Sequence, residues 1–437
     1  MTAPRQPRGW YPDRSGAPGR AVGALQPKDD SFYEYTGKKL LANILPGTVL
    51  KTRSVSYHIL GIPTLLGTTQ LLYRTTSQTL KPTVNVTSVI QPLDLDLRDK
   101  TKVISYQSAY DSLNPNDEPS YAISGGRPTL GGLVPNVELG VFGPFLAEGY
   151  TVIVPDTEGQ RADFAAGPEY GMNTLDSIRA AFNSSTIDSD AKVAMLGYSG
   201  GALATEWAAE LAPTYAPDAL DVNARLIGAA MGGVLVHPAH NLHYVEGSLI
   251  WAGVMAMALV GIARAFKVDF TPYLSDRGVK ICNGMQNASI VDVLGHYPGL
   301  TWEDLAKPKY KTPESIPLYV TCANQLIMGT GGTPTIPLFI GQGAGGEREG
   351  TPGNKPGIGA GDGVMIAGDV RTLARDYCAA GATVHYEQYD ALSHVLSLVP
   401  WLPNSIAWIK QRFADLPAPQ NCSSIRPGNP IKPIPVP

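Results

Sequence analysis

Apolar and polar positions along this chain alternate between two rhythms. The run Lys192-Val193-Ala194-Met195-Leu196 is apolar after its first residue and ends in Gly197-Tyr198-Ser199-Gly200-Gly201. A helical stretch from Ala202 to Leu211 follows, giving a short buried strand, a glycine turn and a helix. Gln70–Arg74, Val84–Ile90 and Lys102–Gln107 read as strands, and Gly149–Asp156 as a buried strand ending in a turn. Asn173–Asn183 reads as a helix and Ala224–Met231 as a further strand. Strands alternating with helices at this spacing predict an α/β protein with a mostly parallel sheet.

From His237 the rhythm breaks. Leu249–Ala263 carries no charge and lies between Glu246 and Arg264. It is shorter than the ~20 residues of a membrane span, so it is expected to be a buried or lipid-facing helix. Residues 237–310 read as an inserted helical cap. The sheet resumes at Ile316–Val320 or at Thr335–Ile340, with the second preferred. Gly341–Gly361 is a glycine-rich loop, Val370–Ala380 a helix, Thr383–Tyr389 a strand and Pro403–Phe413 a closing helix. The expected organisation is an extended arm over 1–30, a core made of 31–236 and 311–437, and the cap between them. No internal repeat is evident.

Composition narrows the class. The 437 residues are 43% apolar and 16% charged, enough to bury a large core. With 34 basic against 38 acidic residues there is no electrostatic case for nucleic acid. High glycine (47) and proline (37) suit a loop-rich extracellular enzyme. Residues 1–29 are polar and contain no apolar stretch of the signal-peptide kind, so the chain is either cytosolic or the product of leader removal. The four cysteines, Cys282, Cys322, Cys378 and Cys422, have no zinc spacing. They are either buried thiols or two disulfides, and a Cys378–Cys422 bridge would tie down the proline-rich tail. Sequons at Asn85, Asn183, Asn287 and Asn421 are compatible with export, and a secreted monomer is expected.

The glycine turn carries the chemistry. G-x-S-x-G between a strand and a helix is the pattern of a nucleophile elbow, in which small flanking residues permit a sharp turn that presents the serine hydroxyl. No other serine in the chain has glycine at both −2 and +2. A serine needs a base, and the base an orienting acid, in the chain order Ser, Asp or Glu, His. His237, His240, His243 and His296 lie in or beside the cap, His58 precedes the elbow, and His385 is inside a strand. His394 falls in the loop after that strand and is the expected base. Asp362, Asp369, Asp376, Glu347 and Glu349 are candidate acids. Asp369 and Asp376 fall on a helix and read as solvated, and Asp362 is preferred. Gly200, next after the serine, supplies one oxyanion N–H, and Ser105–Asp111 is a candidate source of the second, with Asp111 at its turn.

These residues resemble the secretory lipase family of the α/β-hydrolase superfamily. The likeness rests on Asp30–Tyr33, Leu72–Thr76, Val103–Gln107, Pro119–Tyr121, Val154–Gly159, Gly197–Ala202 and Gly361–Val364. It implies an α/β-hydrolase fold with a helical cap between the elbow helix and the acid, hydrolysis of triacylglycerols and other carboxylic esters, and no cofactor or metal. It also implies Ser199 as nucleophile, Asp362 as acid, His394 as base, and Asp111 with Gly200 as oxyanion donors. Two departures follow. The long loop Gly341–Gly361 precedes Asp362, where the family's acid follows its strand closely. Some members also carry a cysteine just before the Pro-Ser-Tyr stretch, bridged to one in the cap. Here residues 116–119 read Asn-Asp-Glu-Pro, so Cys282 lacks that partner and a Cys282–Cys322 bridge is expected alongside Cys378–Cys422.

The expected protein is therefore a serine ester hydrolase acting on lipid or acyl esters. Trp251, Met255, Met257 and Leu259 would either line an acyl tunnel or form the cap core. A short-chain esterase or acyltransferase on the same triad is the nearest rival, and a non-catalytic lipid carrier is the rival from another class.

Overall fold

The computed structural model describes residues 24–94, 96–217 and 221–437. Most of the expected N-terminal arm lies outside them, and the part that is described includes a 3-10 turn, Pro27–Asp29. The framework is a nine-stranded sheet in the order β1-β2-β3-β5-β4-β6-β7-β8-β9. β1 (Val49–Ile59), β2 (Ile62–Thr76) and β3 (Pro82–Ile90) form an antiparallel meander that joins β5 (Tyr150–Pro155). From β5 onward the sheet is parallel through β4 (Asp99–Gln107), β6 (Lys192–Tyr198), β7 (Leu226–Gly232), β8 (Leu338–Gly343) and β9 (Val384–Tyr389).

The central strands read as continuous apolar runs because both faces are covered. Along β6, Val193 and Met195 enter one core while Ala194 and Leu196 enter the other. β8 splits in the same way, with Leu338 and Ile340 on one side and Phe339 on the opposite side. The first face packs against α4 (Gly167–Asn183), α5 (Gly200–Tyr215) and α12 (Ala367–Ala379), through Leu175, Trp207 and Leu373. The second packs against α1 (Pro119–Ile123), α3 (Leu139–Ala147) and α13 (His394–Phe413), through Ile123, Phe142 and Trp408. A short α2 (Leu133–Val137) links α1 to α3.

Between β7 and β8 the chain leaves the sheet and forms α6 (Pro238–Val245), α7 (Val254–Phe266), α8 (Asp276–Gly284), α9 (Ile290–Val293), α10 (Trp302–Leu305) and α11 (Pro317–Asn324). These helices share a core of their own, with Met255, Met257, Leu259, Trp302 and Tyr319. The uncharged run of 249–263 becomes α7 and the turn before it, buried from several sides. Arg264 ends that run and anchors α7 to the sheet domain by donating to the carbonyls of Leu113 (2.9 Å) and Ala162 (3.0 Å). No helix among the described residues is long and apolar enough to cross a membrane.

Several expectations need correction. Ile316–Val320 is not a strand, because Pro317 opens α11, where its missing N–H costs nothing. The sheet resumes at Leu338 and runs to Gly343, so the glycine-rich loop begins three residues later than expected. The closing helix begins at His394 rather than Pro403, and carries Pro400 and Pro403 inside it. Asp369 is buried and accepts from Asn429 (2.7 Å), whereas Asp376 is exposed as expected. Asn85 is fully buried, and the Asn421 side chain is spent on the Tyr386 backbone, so neither of these two sequons is an open acceptor.

Cys378 and Cys422 are bridged, tying the C-terminal tail to α12. Cys282 and Cys322 are not. They sit as separate buried thiols in the cap core, where each packs as a small apolar side chain, and burial pushes both thiols up to about 11. Replacing Cys378 and Cys422 by serine should lower unfolding free energy by about 2–4 kcal/mol in urea titrations. Non-reducing peptide mapping should find that single bridge and two thiols that alkylate only after unfolding.

Candidate active site

β6 ends at Tyr198 and α5 begins at Gly200, leaving Ser199 alone to turn the chain. Its backbone is forced to φ 55°, ψ −121°, a conformation costing a non-glycine residue about 1–3 kcal/mol. The flanking glycines make the turn possible. A Cβ on Gly197 would lie 2.1 Å from the Gly201 carbonyl oxygen, and one on Gly201 would lie 2.1 Å from that of Gln107. α5 is therefore pressed against the ends of β6 and β4, with its N-terminus at the serine.

Three elements converge on Ser199. His394 is the first residue of α13, and its Nε2 lies 2.8 Å from Ser199 Oγ. Its Nδ1 lies 2.8 Å from Asp362 Oδ2. Asp362 is fully buried, and its other oxygen accepts the N–H groups of Val364 (3.0 Å) and Met365 (2.8 Å). The long loop does not carry Asp362 away from its strand. It folds out through a 3-10 turn at Gly346–Glu349 and returns, so that a Cβ on Gly343, at the end of β8, would lie 2.8 Å from that of Asp362. The acid thus sits at the carboxyl end of β8 despite its distance in sequence.

Residues that the sequence reading did not assign to the site hold this group. Gln342 donates to Asp362 Oδ2 (3.0 Å) and accepts from the Val234 N–H (3.1 Å). A polar side chain inside the apolar end of β8 was the available signal. Tyr198 donates to the His394 carbonyl (2.5 Å), and its ring lies 5.2 Å from the imidazole. Trp251 stands edge-on to the imidazole at 5.3 Å, while Met255 and Met257 stay in the cap core. Burial works to lower the His394 pKa, but the carboxylates of Asp362, Glu349 and Asp111 outweigh it and the net direction is up.

Asp111 lies in the turn after β4 with φ 34°, and its carboxyl faces the Gly200 N–H. Burial pushes that carboxyl up to about 7, against the lowering pull of His394 and the Gly200 N–H. The turn and the start of α1 beyond it are held by further buried carboxyls. Glu138 accepts from the Ala109 N–H (2.8 Å), Glu158 from the Ser112 N–H (3.1 Å), and Asp156 from the Ser120 N–H (2.8 Å). A narrow apolar cavity of about 30 Å³ opens at Ser199 between Leu203, Leu235, Val254 and Met365. Among the described residues no cluster of His, Cys, Asp or Glu could hold a metal ion.

A strained serine between a parallel strand and a helix, facing an imidazole from the end of the sheet, defines the α/β-hydrolase class. Solved structures agree. Candida antarctica lipase A in its closed state superposes with a TM-score of 0.78 at 26% identity, covering 94% of this chain and 91% of that one. The rice cell wall degrading esterase LipA from Xanthomonas oryzae, at 12% identity and a TM-score of 0.58 over 86% of this chain and 100% of that one, shares the fold. The chain belongs to the secretory lipase family, whose pattern matches residues 128–348. Lipase 5 of Candida albicans is 30% identical over 92% of this chain and 84% of its own length. A Mycobacterium tuberculosis protein designated "Probable inactive lipase" is 32% identical over 91% of this chain and 85% of its own length. A secretory family and a disulfide fit an extracellular protein.

The buried carboxyls set a pH dependence. Burial raises Asp111, Glu138 and Asp156 each to about 7, from ordinary values of 3.8 to 4.5. Between those limits the folded state binds more protons than the unfolded one, so stability falls as pH rises. His237, pushed down to about 4 by burial beside His240, works the other way but is one group against several. The urea midpoint should be higher at pH 5 than at pH 8, and Glu138→Gln should flatten the slope. A midpoint that rises with pH would contradict this assignment.

Proposed function

We propose that the protein is a secreted serine ester hydrolase, active as a monomer and without a cofactor, that cleaves carboxylic esters of lipids through an acyl-enzyme on Ser199. The observation that carries this reading is the pair of 2.8 Å contacts linking Ser199 Oγ, His394 and Asp362. His394 takes the serine proton as Oγ attacks the ester carbonyl, and Asp362 holds the Nδ1–H tautomer and stabilises the imidazolium. The Gly200 and Asp111 N–H groups receive the developing oxyanion. An oxyanion reaches the Gly200 N–H only if the Asp111 carboxyl gives up its own contact there. His394 then protonates the leaving alcohol, and water deacylates the enzyme by the reverse route.

The acyl chain enters at the narrow cavity beside Ser199, whose Leu203, Leu235, Val254, Val364 and Met365 offer apolar wall and almost no polar contact and must part to admit it. Trp251, at the entry to α7, belongs to this wall, so the cap contributes to acyl binding through the turn before α7. The likeness to a relative designated inactive supports a second reading, a lipid-binding protein without turnover. A strained serine paired with an imidazole argues against that reading, since binding has no use for it.

Hydrolysis of p-nitrophenyl esters from acetyl to palmitoyl, with Ser199→Ala beside the unaltered protein, separates these readings. Ser199→Ala should lose about 10⁴-fold or more in kcat with its fold intact. A preference for longer acyl groups supports the lipase, and one for acetyl supports a short-chain esterase. Equal turnover by both proteins would end the assignment of Ser199. Val254→Trp narrows the acyl cavity and should move the optimum toward shorter chains at nearly unchanged kcat for the acetyl ester.

A further inference from the structure

α13 begins at the candidate base without a cap of its own. Ser393 precedes it but makes no capping hydrogen bond. The helix's leading N–H groups are taken by residues from elsewhere in the chain. His394 N–H donates to the Asp362 carbonyl (2.7 Å), and Val395 N–H donates to Glu349 Oε1 (3.1 Å). The second Glu349 oxygen accepts the indole N–H of Trp251 (2.7 Å), the cap residue whose ring stands edge-on to His394. Glu349 is buried, at 8% exposed, and the backbone next to Asp362 closes around it. A Cβ on Gly363 would lie 2.7 Å from Glu349 Oε2 and 2.9 Å from the Trp251 indole nitrogen.

We propose that Glu349 is a positioning residue, one that fixes His394 in register with Ser199 and ties the base to the cap through Trp251. The inference rests on the reading of Ser199 and His394 given above. The N-terminus of a helix carries partial positive charge, and here it abuts a side chain that must itself become a cation during turnover. A carboxylate at that terminus offsets the conflict while holding the backbone that carries the imidazole. Asp362 and Asp111 also face His394, from the end of β8 and from the turn after β4, so Glu349 completes a set of three carboxylates around it. Because the same carboxylate grips Trp251, displacement of the turn before α7 would release one of its two contacts and loosen the base.

Glu349→Gln is nearly isosteric, removes the charge and can still accept from Val395 N–H, but its amide nitrogen cannot accept from the Trp251 indole, a loss that Trp251→Phe reproduces with the charge in place. Two measurements apply. In ester hydrolysis kcat should fall about tenfold with KM little changed, and the acid limb of kcat/KM should move to lower pH because a carboxylate that favours imidazolium has gone. In NMR titration of the imidazole resonances, read without turnover, His394 should titrate at lower pH in Glu349→Gln than in the unaltered protein. Trp251→Phe keeps a ring beside His394 and the carboxylate charge, and should lower kcat without moving that midpoint. An unchanged His394 midpoint in Glu349→Gln overturns the proposal, as does a loss of activity with an unmoved acid limb, since a purely structural tie would behave so. Failure of the ester hydrolase reading instead shows as Ser199-independent or absent turnover in the unaltered protein, and the NMR midpoint still decides the role of Glu349.

Discussion

The close approach of α5 to the ends of β4 and β6 governs this structure. Gly197 and Gly201 let backbone meet backbone where any side chain would intrude, and Ser199 takes up the turn in a strained conformation. The cost of about 1–3 kcal/mol is small against the two cores that clamp the sheet. In return the hydroxyl stands clear of the sheet, at the positive end of a helix, with room for a second element to face it. Loosening that packing would lower the serine toward the sheet and remove the reason for the other site residues.

Around this fixed point, stability and chemistry make opposite demands on charge. Asp111, Glu138, Asp156 and Glu158 are buried with few cations near them; Glu138 and Glu158 hold backbone N–H groups of the loop that runs past the serine, Asp156 holds that of Ser120 in α1, and Asp111 faces the turn itself. Burying them disfavours ionisation, and the fold accepts that cost in exchange for a loop held in one position. Near His394 the balance reverses, because carboxylates there favour the cation that turnover requires. Glu349 joins both roles, as a capping group for α13 and a link to the cap.

Much of the fold could be read from sequence because the parallel strands are buried on both faces and appear as uninterrupted apolar runs. The elbow could be read because its glycines are dictated by contacts as short as 2.1 Å. Asp362 was harder. Eighteen residues separate it from the end of β8, and only the folded loop shows that it lies against Gly343. Ile316–Val320 has strand-like composition but packs in the cap, where Pro317 and the neighbouring helices override propensity. The Cys282–Cys322 expectation failed for a related reason, since spacing along the chain says nothing of whether two buried thiols face one another. Gln342 and Tyr198 act through contacts between distant segments and leave almost no local mark, whereas Trp251 stands out in the uncharged run and does line the cavity at Ser199.

The central claim is that Ser199 is a nucleophile activated by His394. Its most direct test is incubation with a long-chain alkyl fluorophosphonate, from which the serine oxygen displaces fluoride, followed by mass spectrometric mapping of the adduct. The account predicts one phosphonate per chain, on Ser199, forming faster as pH rises through the His394 titration and absent in His394→Ala. Labelling at another residue, or labelling of Ser199 at the same rate without His394, would contradict it.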